Sequence, residues 1–179
     1  MEETDRERAA EWARDLLERS DWVILDTETT GTSPHDEIVQ IALVGSDGRV
    51  LYDSLVKPTR PIPPGATAIH GICDADVRHA PSFPEVYSRV REILSGKRII
   101  IYNAQFDLRL IHQTLAKHNL LPYGLDSDQA DCAMLVYSAW VGERWLDGGY
   151  RWQKLENADH SAVGDCLATL ALIKKMAKG

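Results

Sequence analysis

Four acids and one histidine, in three short segments, have the types and spacing to do chemistry. In Val23-Ile24-Leu25-Asp26-Thr27-Glu28-Thr29-Thr30-Gly31, two carboxylates follow an apolar run. Residues two apart in an extended segment point the same way, so Asp26 and Glu28 present their carboxylates together. Like charges held that close are costly unless a cation sits between them or one takes a proton. A turn or helix cap using Asp and Thr would account equally well for an isolated Asp-x-Glu. Asn103-Ala104-Gln105-Phe106-Asp107 repeats the arrangement after a second apolar run. An Asp in the first turn of a helix is favoured by the backbone dipole and needs no metal. Its location carries the functional reading, because residues following the carboxyl ends of neighbouring parallel strands converge on one crevice.

His160-Ser161-Ala162-Val163-Gly164-Asp165 sets a histidine and an acid five positions apart. On a regular helix such a pair points roughly 140° apart. Both address one site only if His160 lies in the loop before the helix, with Ser161 as its cap. A solvated or capping histidine is the plain alternative. Clustered Asp and Glu suit Mg²⁺, which takes oxygen ligands and shares substrate phosphate oxygens. Two divalent ions about 3.5–4 Å apart can stabilise both the attacking and the leaving oxygen of an in-line displacement.

The elements that would position these residues follow from the hydrophobic pattern. Trp22-Val23-Ile24-Leu25 and Arg98-Ile99-Ile100-Ile101-Tyr102 read as strands buried on both faces, the first ending at Asp26. Residues 38–44 and 50–56 are β-rich runs joined by Gly45-Ser46-Asp47-Gly48, a hairpin turn, so three consecutive strands form a meander. Residues 57–64 carry four of the eight prolines and read as an irregular surface connection. Ser82-x-x-Glu85 fits a capping box before a helical face of Val86, Val90, Ile93 and Leu94. A helix from about Phe106 turns Leu108, Ile111 and Leu115 inward. The last, at about 162–175, is expected to bury Val163, Cys166, Leu167, Leu170 and Ile173. The expected fold is α/β: a mixed central sheet, an antiparallel meander of three strands plus parallel strands, flanked by helices. Residues 1–20 form an amphipathic helix packed on a single domain of residues 21–179, with Ala9, Trp12, Ala13, Leu16 and Leu17 at helical spacing.

The chain has 179 residues, 44% hydrophobic and 26% charged, which fits one globular domain. No apolar run approaches the roughly 20 residues of a membrane span, and the acidic start lacks the pattern of a secretory signal. A soluble, cytoplasmic protein is expected. Cys73, Cys132 and Cys166 form no Cys-x-x-Cys pair and read as reduced, buried residues. A net charge of −7 argues against a sequence-reading nucleic-acid binder, which would cluster Lys and Arg. It does not argue against a nuclease, whose carboxylate site is negative until divalent cations fill it.

In this order, the three segments resemble the three motifs of the DEDDh family of 3′–5′ exonucleases, which includes the proofreading subunit of bacterial DNA polymerase III, ribonuclease T and oligoribonuclease. Asp26 to Gly31 is similar to the first motif, Asn103-x-x-Phe106-Asp107 to the second and His160-x-x-x-x-Asp165 to the third. The resemblance runs from about residue 21 to 173. It implies a ribonuclease-H-like fold that removes mononucleotides from nucleic-acid 3′ ends using two divalent cations, Mg²⁺ or Mn²⁺. By the same resemblance Asp26 bridges both metals, Glu28 and Asp165 complete one site, Asp107 supports the other, and His160 is the general base. Ala68-Ile69-His70-Gly71-Ile72 resembles a loop of the proofreading branch, which makes His70 a substrate-binding residue.

Arg144-Trp145 and Tyr150-Arg151-Trp152, with Lys154, mix basic and aromatic side chains. Such mixtures can track a single strand, and tryptophans can equally well be core residues. DNA is slightly favoured over RNA as substrate, although no residue in the sequence reads a 2′-hydroxyl. A haloacid-dehalogenase-like phosphatase also sets acid-x-acid-x-Thr after its first strand, with the first Asp as nucleophile. Glu28, the meander directly afterwards and the lack of a second acid following Gly164-Asp165 at the expected spacing count against it. A non-catalytic module of a larger assembly would have no physical need for four clustered acids.

Overall fold

The computed structural model describes residues 4–122, 125 and 127–179. Five strands form one sheet in the order β3-β2-β1-β4-β5: β1 Trp22–Thr29, β2 Ile38–Gly45, β3 Val50–Leu55, β4 Arg98–Ile101 and β5 Ala130–Cys132. β2 pairs antiparallel with β1 and with β3, whereas β4 and β5 run parallel to β1. This is the expected meander joined to parallel strands. The meander turns at Gly45–Gly48, where Gly48 takes φ +83° and the Asp47 carboxylate accepts the N–H of Arg49.

Alternation along β1 sorts the core into two layers. Val23 and Leu25 pack with Phe83, Val86 and Val90 of α4 (Phe83–Leu94) and with Leu108, Ile111 and Leu115 of α5 (Ala104–Lys117). Trp22 and Ile24 face the other way. They meet Ala13 and Leu16 of α1 (Asp5–Leu17), Tyr137 of α6 (Ala133–Val141), and Cys166, Leu170 and Ile173 of α7 (Ala162–Met176). Fully burying a large aliphatic or aromatic side chain contributes roughly 1.5–3 kcal/mol, so a strand covered on both faces is pinned firmly in place. Two short helices, α2 (Pro64–His70) and α3 (Asp74–Val77), complete the chain between β3 and α4. The capping box at Ser82 and Glu85 starts α4 as expected, and Thr4 with Glu7 starts α1 in the same way.

Several expectations need correction. β1 continues to Thr29, so Asp26 and Glu28 lie within the strand; β2 goes on pairing beside them, Asp26 with Ala42 and Glu28 with Gln40. The segment around His70 is helical rather than a loop: Pro64, which has no N–H to satisfy, opens α2, and Gly71 at φ +77° closes it. On α7, Leu167 is 41% exposed and Val163 only half-buried, because the inward stripe follows Cys166, Leu170 and Ile173 at helical spacing. Cys166 is buried, while Cys73 and Cys132 are half-buried, and all three are free thiols. Among the described residues, no helix is long and apolar enough to cross a membrane.

The loop that follows the acids of β1 is tied down by Glu37. Its backbone exchanges hydrogen bonds with Thr30, whose N–H reaches Glu37 O at 2.8 Å and whose hydroxyl accepts the Glu37 N–H at 3.0 Å. Its carboxylate, 2% exposed, accepts from Thr59 N–H (3.0 Å), Thr59 Oγ1 (2.7 Å) and Lys117 Nζ (2.9 Å). Burial acts to raise its pKa, and these partners together bring it below the ordinary value. Glu37→Ala leaves Lys117 and Thr59 without that partner and should cost about 2–3 kcal/mol in urea denaturation, since Lys117 can still reach water. An unchanged midpoint would contradict this account of the loop.

Candidate active site

Parity along β1 decides which acids meet. Asp26 and Glu28 share the face of Trp22 and Ile24, the face covered by α7, and the first turn of α7 brings Asp165 to them. One carboxylate oxygen from each of Asp26, Glu28 and Asp165 lies within 4.8 Å of the other two. Thr27 points to the opposite face, where α5 begins, and its hydroxyl donates to Oδ1 of Asp107 at 2.7 Å. Asp107, 4% exposed, therefore reaches the group from the second face. It stands outside the close set of oxygens, yet its charge still acts on Asp26. All four acids and His160 line one cleft of about 560 Å³, whose other walls include Tyr102, Asn103, Phe106, Lys154 and Leu155.

His160 stands before the helix, as the spacing requires, and Ser161 is the cap, accepting the N–H of Gly164 at 3.0 Å. Oδ1 of Asp165 accepts the backbone N–H groups of Asp159 (3.0 Å) and His160 (3.2 Å). Those two bonds help hold His160 at φ +59°, a left-handed conformation that residues other than glycine seldom adopt. The Asp159 carboxylate binds the N–H and hydroxyl of Ser161 and lies so close over α7 that a Cβ at Gly164 would overlap it. Asp165 thus does two things: it shapes the His160 turn and it contributes an oxygen to the acid cluster.

Sequence reasoning missed Gln40. Its side chain accepts the N–H of Ala162 at 3.3 Å and donates to Asp53 at 2.8 Å, fixing the start of α7 beside Glu28. The available signal was a single amide in an otherwise apolar strand. His70 uses both ring nitrogens on backbone: Nδ1 accepts the N–H of Ile72 at 3.1 Å, so Nε2 carries the proton and donates to Thr29 O at 3.1 Å. Burial lowers its pKa, the bond to Thr29 opposes this, and the nearby charge of His160 lowers it further. What His70 offers a ligand is therefore its ring surface.

The acids are strained electrostatically. Burial, then the charges of Asp107, Asp165 and Glu28, push Asp26 well above the usual carboxylate range. Burial and the neighbouring carboxylates, Asp165 first, raise Glu28 to about 8. Burial raises Asp107 to about 7 against the hydrogen bonds from Thr27. Burial raises Asp165 too, opposed by the N–H groups of Asp159 and His160. A divalent cation would relieve this repulsion, and oxygen-only donors within 4.8 Å of one another fit a hard cation of the Mg²⁺ type. Asp26, Glu28 and Asp165 could hold one directly, with Asp107 next to them.

A mixed sheet carrying a carboxylate cluster at its central strand, closed by a helix with a histidine at its mouth, is the arrangement of a hydrolase whose acids could hold a divalent cation. The Exonuclease family model, of the ribonuclease T type, matches residues 23–173, and the chain belongs to this exonuclease family of hydrolases acting on nucleic acids. An uncharacterised exonuclease of Escherichia phage 186 is 38% identical over 98% of this chain and 95% of its own length. A DNA polymerase III subunit epsilon-like protein of Rhodobacter capsulatus is 38% identical over 86% of this chain, which spans only 23% of that protein. E. coli exonuclease I in complex with a dT13 oligonucleotide shares the fold, with a TM-score of 0.70 at 23% identity over 88% of this chain and 41% of that one. Family membership removes the phosphatase alternative.

The raised carboxylates set a pH dependence. Stability from a group whose folded pKa is raised is fully present below its unfolded value, near 4, and is lost as pH rises through the folded values, up to about 8 for Glu28. In chelator, Asp26→Asn should therefore gain stability relative to the unsubstituted protein between about pH 5 and pH 8, read from urea midpoints. A difference that stays constant, or moves the other way, would show that the acids do not repel one another.

Proposed function

We propose that the chain is a 3′–5′ exonuclease that hydrolyses phosphodiester bonds at nucleic-acid 3′ ends and releases mononucleotides. The observation that carries this is the convergence of Asp26, Glu28 and Asp165 within 4.8 Å in a cleft that His160 also lines. Asp26, Glu28, Asp107 and Asp165 are the proposed ligands of two divalent cations, Mg²⁺ or Mn²⁺. When bound, these supply positive charge at the reacting phosphate and at the oxygens where charge develops.

The rest falls to the chain's own side chains. His160 is exposed, outside the helix and without a side-chain partner among the described residues, so its imidazole is free to take the proton of the attacking water. Asp165 orients it through the two backbone N–H groups. Lys154, on the cleft wall and with no acid paired to it among the described residues, is the proposed contact for a phosphate. His70, held to the end of β1 and outside the lining of the cleft, is the proposed contact for the terminal nucleotide. DNA is the favoured substrate. Support comes from the Rhodobacter relative, described as like a DNA polymerase III subunit, and from the fold shared with an exonuclease bound to dT13.

The test is digestion of matched DNA and RNA oligonucleotides labelled at either end, with Mg²⁺, Mn²⁺ or excess chelator. Mononucleotides should leave the 3′ end only when a divalent ion is present. His160→Ala should slow turnover by roughly 10²–10⁴-fold, the usual loss for a general base, with Mn²⁺ affinity by calorimetry nearly intact. Cleavage in chelator would contradict the metal assignment, and a ladder from the 5′ end the polarity. No release from any substrate would favour a non-catalytic module, and abolished Mn²⁺ binding in His160→Ala would make the histidine a ligand.

A further inference from the structure

Between α6 and the wall of the cleft the chain makes an excursion that the site does not use. Gly142, at φ +81°, ends α6, and residues 143–151 form a hairpin with Arg144 bridged antiparallel to Tyr150. The Trp145 N–H donates to Gly149 O at 2.7 Å, Arg151 N–H reaches Glu143 O at 2.9 Å, and Asp147 caps the turn at Gly149. The hairpin is fixed to the start of α1, where the Asp5 carboxylate binds the Tyr150 hydroxyl and, at 3.1 Å, Arg144. The hairpin is thereby tied to the first helix.

That hairpin displays what a core would hide. Trp145 is 55% exposed and Trp152 69%, which settles the open alternative for these tryptophans: neither is a core residue. The Arg151 guanidinium lies over the Trp145 ring at 4.8 Å. In a chain of net charge −7, residues 143–154 hold three cations and two acids. The hairpin also runs directly into the cleft. Gln153 O accepts the Tyr102 hydroxyl at 2.9 Å, and both Tyr102 and Lys154 line the cleft. Trp152 is two residues from Lys154, so their Cα atoms are at most about 7 Å apart.

We propose that this hairpin is a stacking platform for the unpaired strand that leads away from the cleft, with Trp152 and Trp145 taking bases behind the terminal nucleotide. Exposed indoles interleaved with cations suit a single strand, since every base has a face to stack and every phosphate a charge to meet. An apolar protein partner would gain little from the charges. The inference rests on the proposal that the cleft acts on nucleic-acid 3′ ends, and it extends that proposal from the reacting nucleotide to those behind it.

The test is binding of fluorescein-labelled thymidine dinucleotide and dodecamer in excess chelator, so that nothing is cut. Protein with Trp145→Ala and Trp152→Ala is compared with unsubstituted protein and with the paired Phe substitutions, melting temperature serving as the folding control. Unsubstituted protein should prefer the dodecamer and show quenched tryptophan emission. The Ala pair should lose about tenfold or more of that preference together with the quenching, and the Phe pair should recover most of the preference. A folded Ala pair with unchanged preference, or no length preference in the unsubstituted protein, overturns the proposal; nucleotide release alongside either result would leave the activity standing and point the hairpin to a protein partner. Hairpin-dependent binding without nucleotide release would sink the activity and leave the platform.

Discussion

Mutual repulsion among carboxylates is the constraint on which the rest of this structure depends. Asp26, Glu28 and Asp165 bring oxygens within 4.8 Å of one another, and Asp107 adds its charge from behind. Left alone, such groups would move apart or take up protons. The chain prevents the first by spreading them over elements that cannot shift. Two acids stand on a strand buried on both faces. A third sits in the first turn of a helix whose start is held by Gln40, and the fourth is bonded to Thr27. The second it allows: burial first, and then the neighbouring charges, raise their pKa values, with Glu28 reaching about 8. The cluster is a site prepared for positive charge.

The same geometry couples the metal-fitting acids to the histidine. The Asp165 carboxylate accepts the N–H groups that shape the His160 turn, and the Asp159 carboxylate closes that turn over Gly164, where a Cβ would displace it. α1 lies outside the part of the chain that the family model matches. Its buried Ala13 and Leu16 join the core beneath α6 and α7, while Asp5 at its other end anchors the 143–151 hairpin. One helix thereby connects the core to the surface beside the cleft.

Much of this was legible in the sequence, for identifiable reasons. Buried strands announce themselves as apolar runs, and the Ser82–Glu85 box and the Gly45–Gly48 turn are local chemistry that needs no tertiary context. The Asp26–Glu28 pairing followed from strand alternation, and the position of His160 from helix geometry. What stayed hidden depends on neighbours. β5 is three residues long and exists only because β4 offers it an edge. α6 is so apolar that no single face stands out. That Asp107 would approach from the opposite face required knowing that β4 lies next to β1. The exposure of Trp145 and Trp152 followed from where the hairpin docks, not from their type. Leu167 misled because its apolar character, one position off the inward stripe, looks the same in sequence as a buried leucine.

The central claim, that the fold stores protons on crowded acids which a cation displaces, has a direct measurement. Mn²⁺ is titrated into chelator-stripped protein near pH 7 in buffers of different ionisation enthalpy, and the slope of the observed heat gives the number of protons released. With Glu28 raised to about 8 and Asp107 to about 7, binding should release on the order of one proton or more per chain, fewer as the pH is raised. Mn²⁺ binding with no proton release near pH 7 would contradict it.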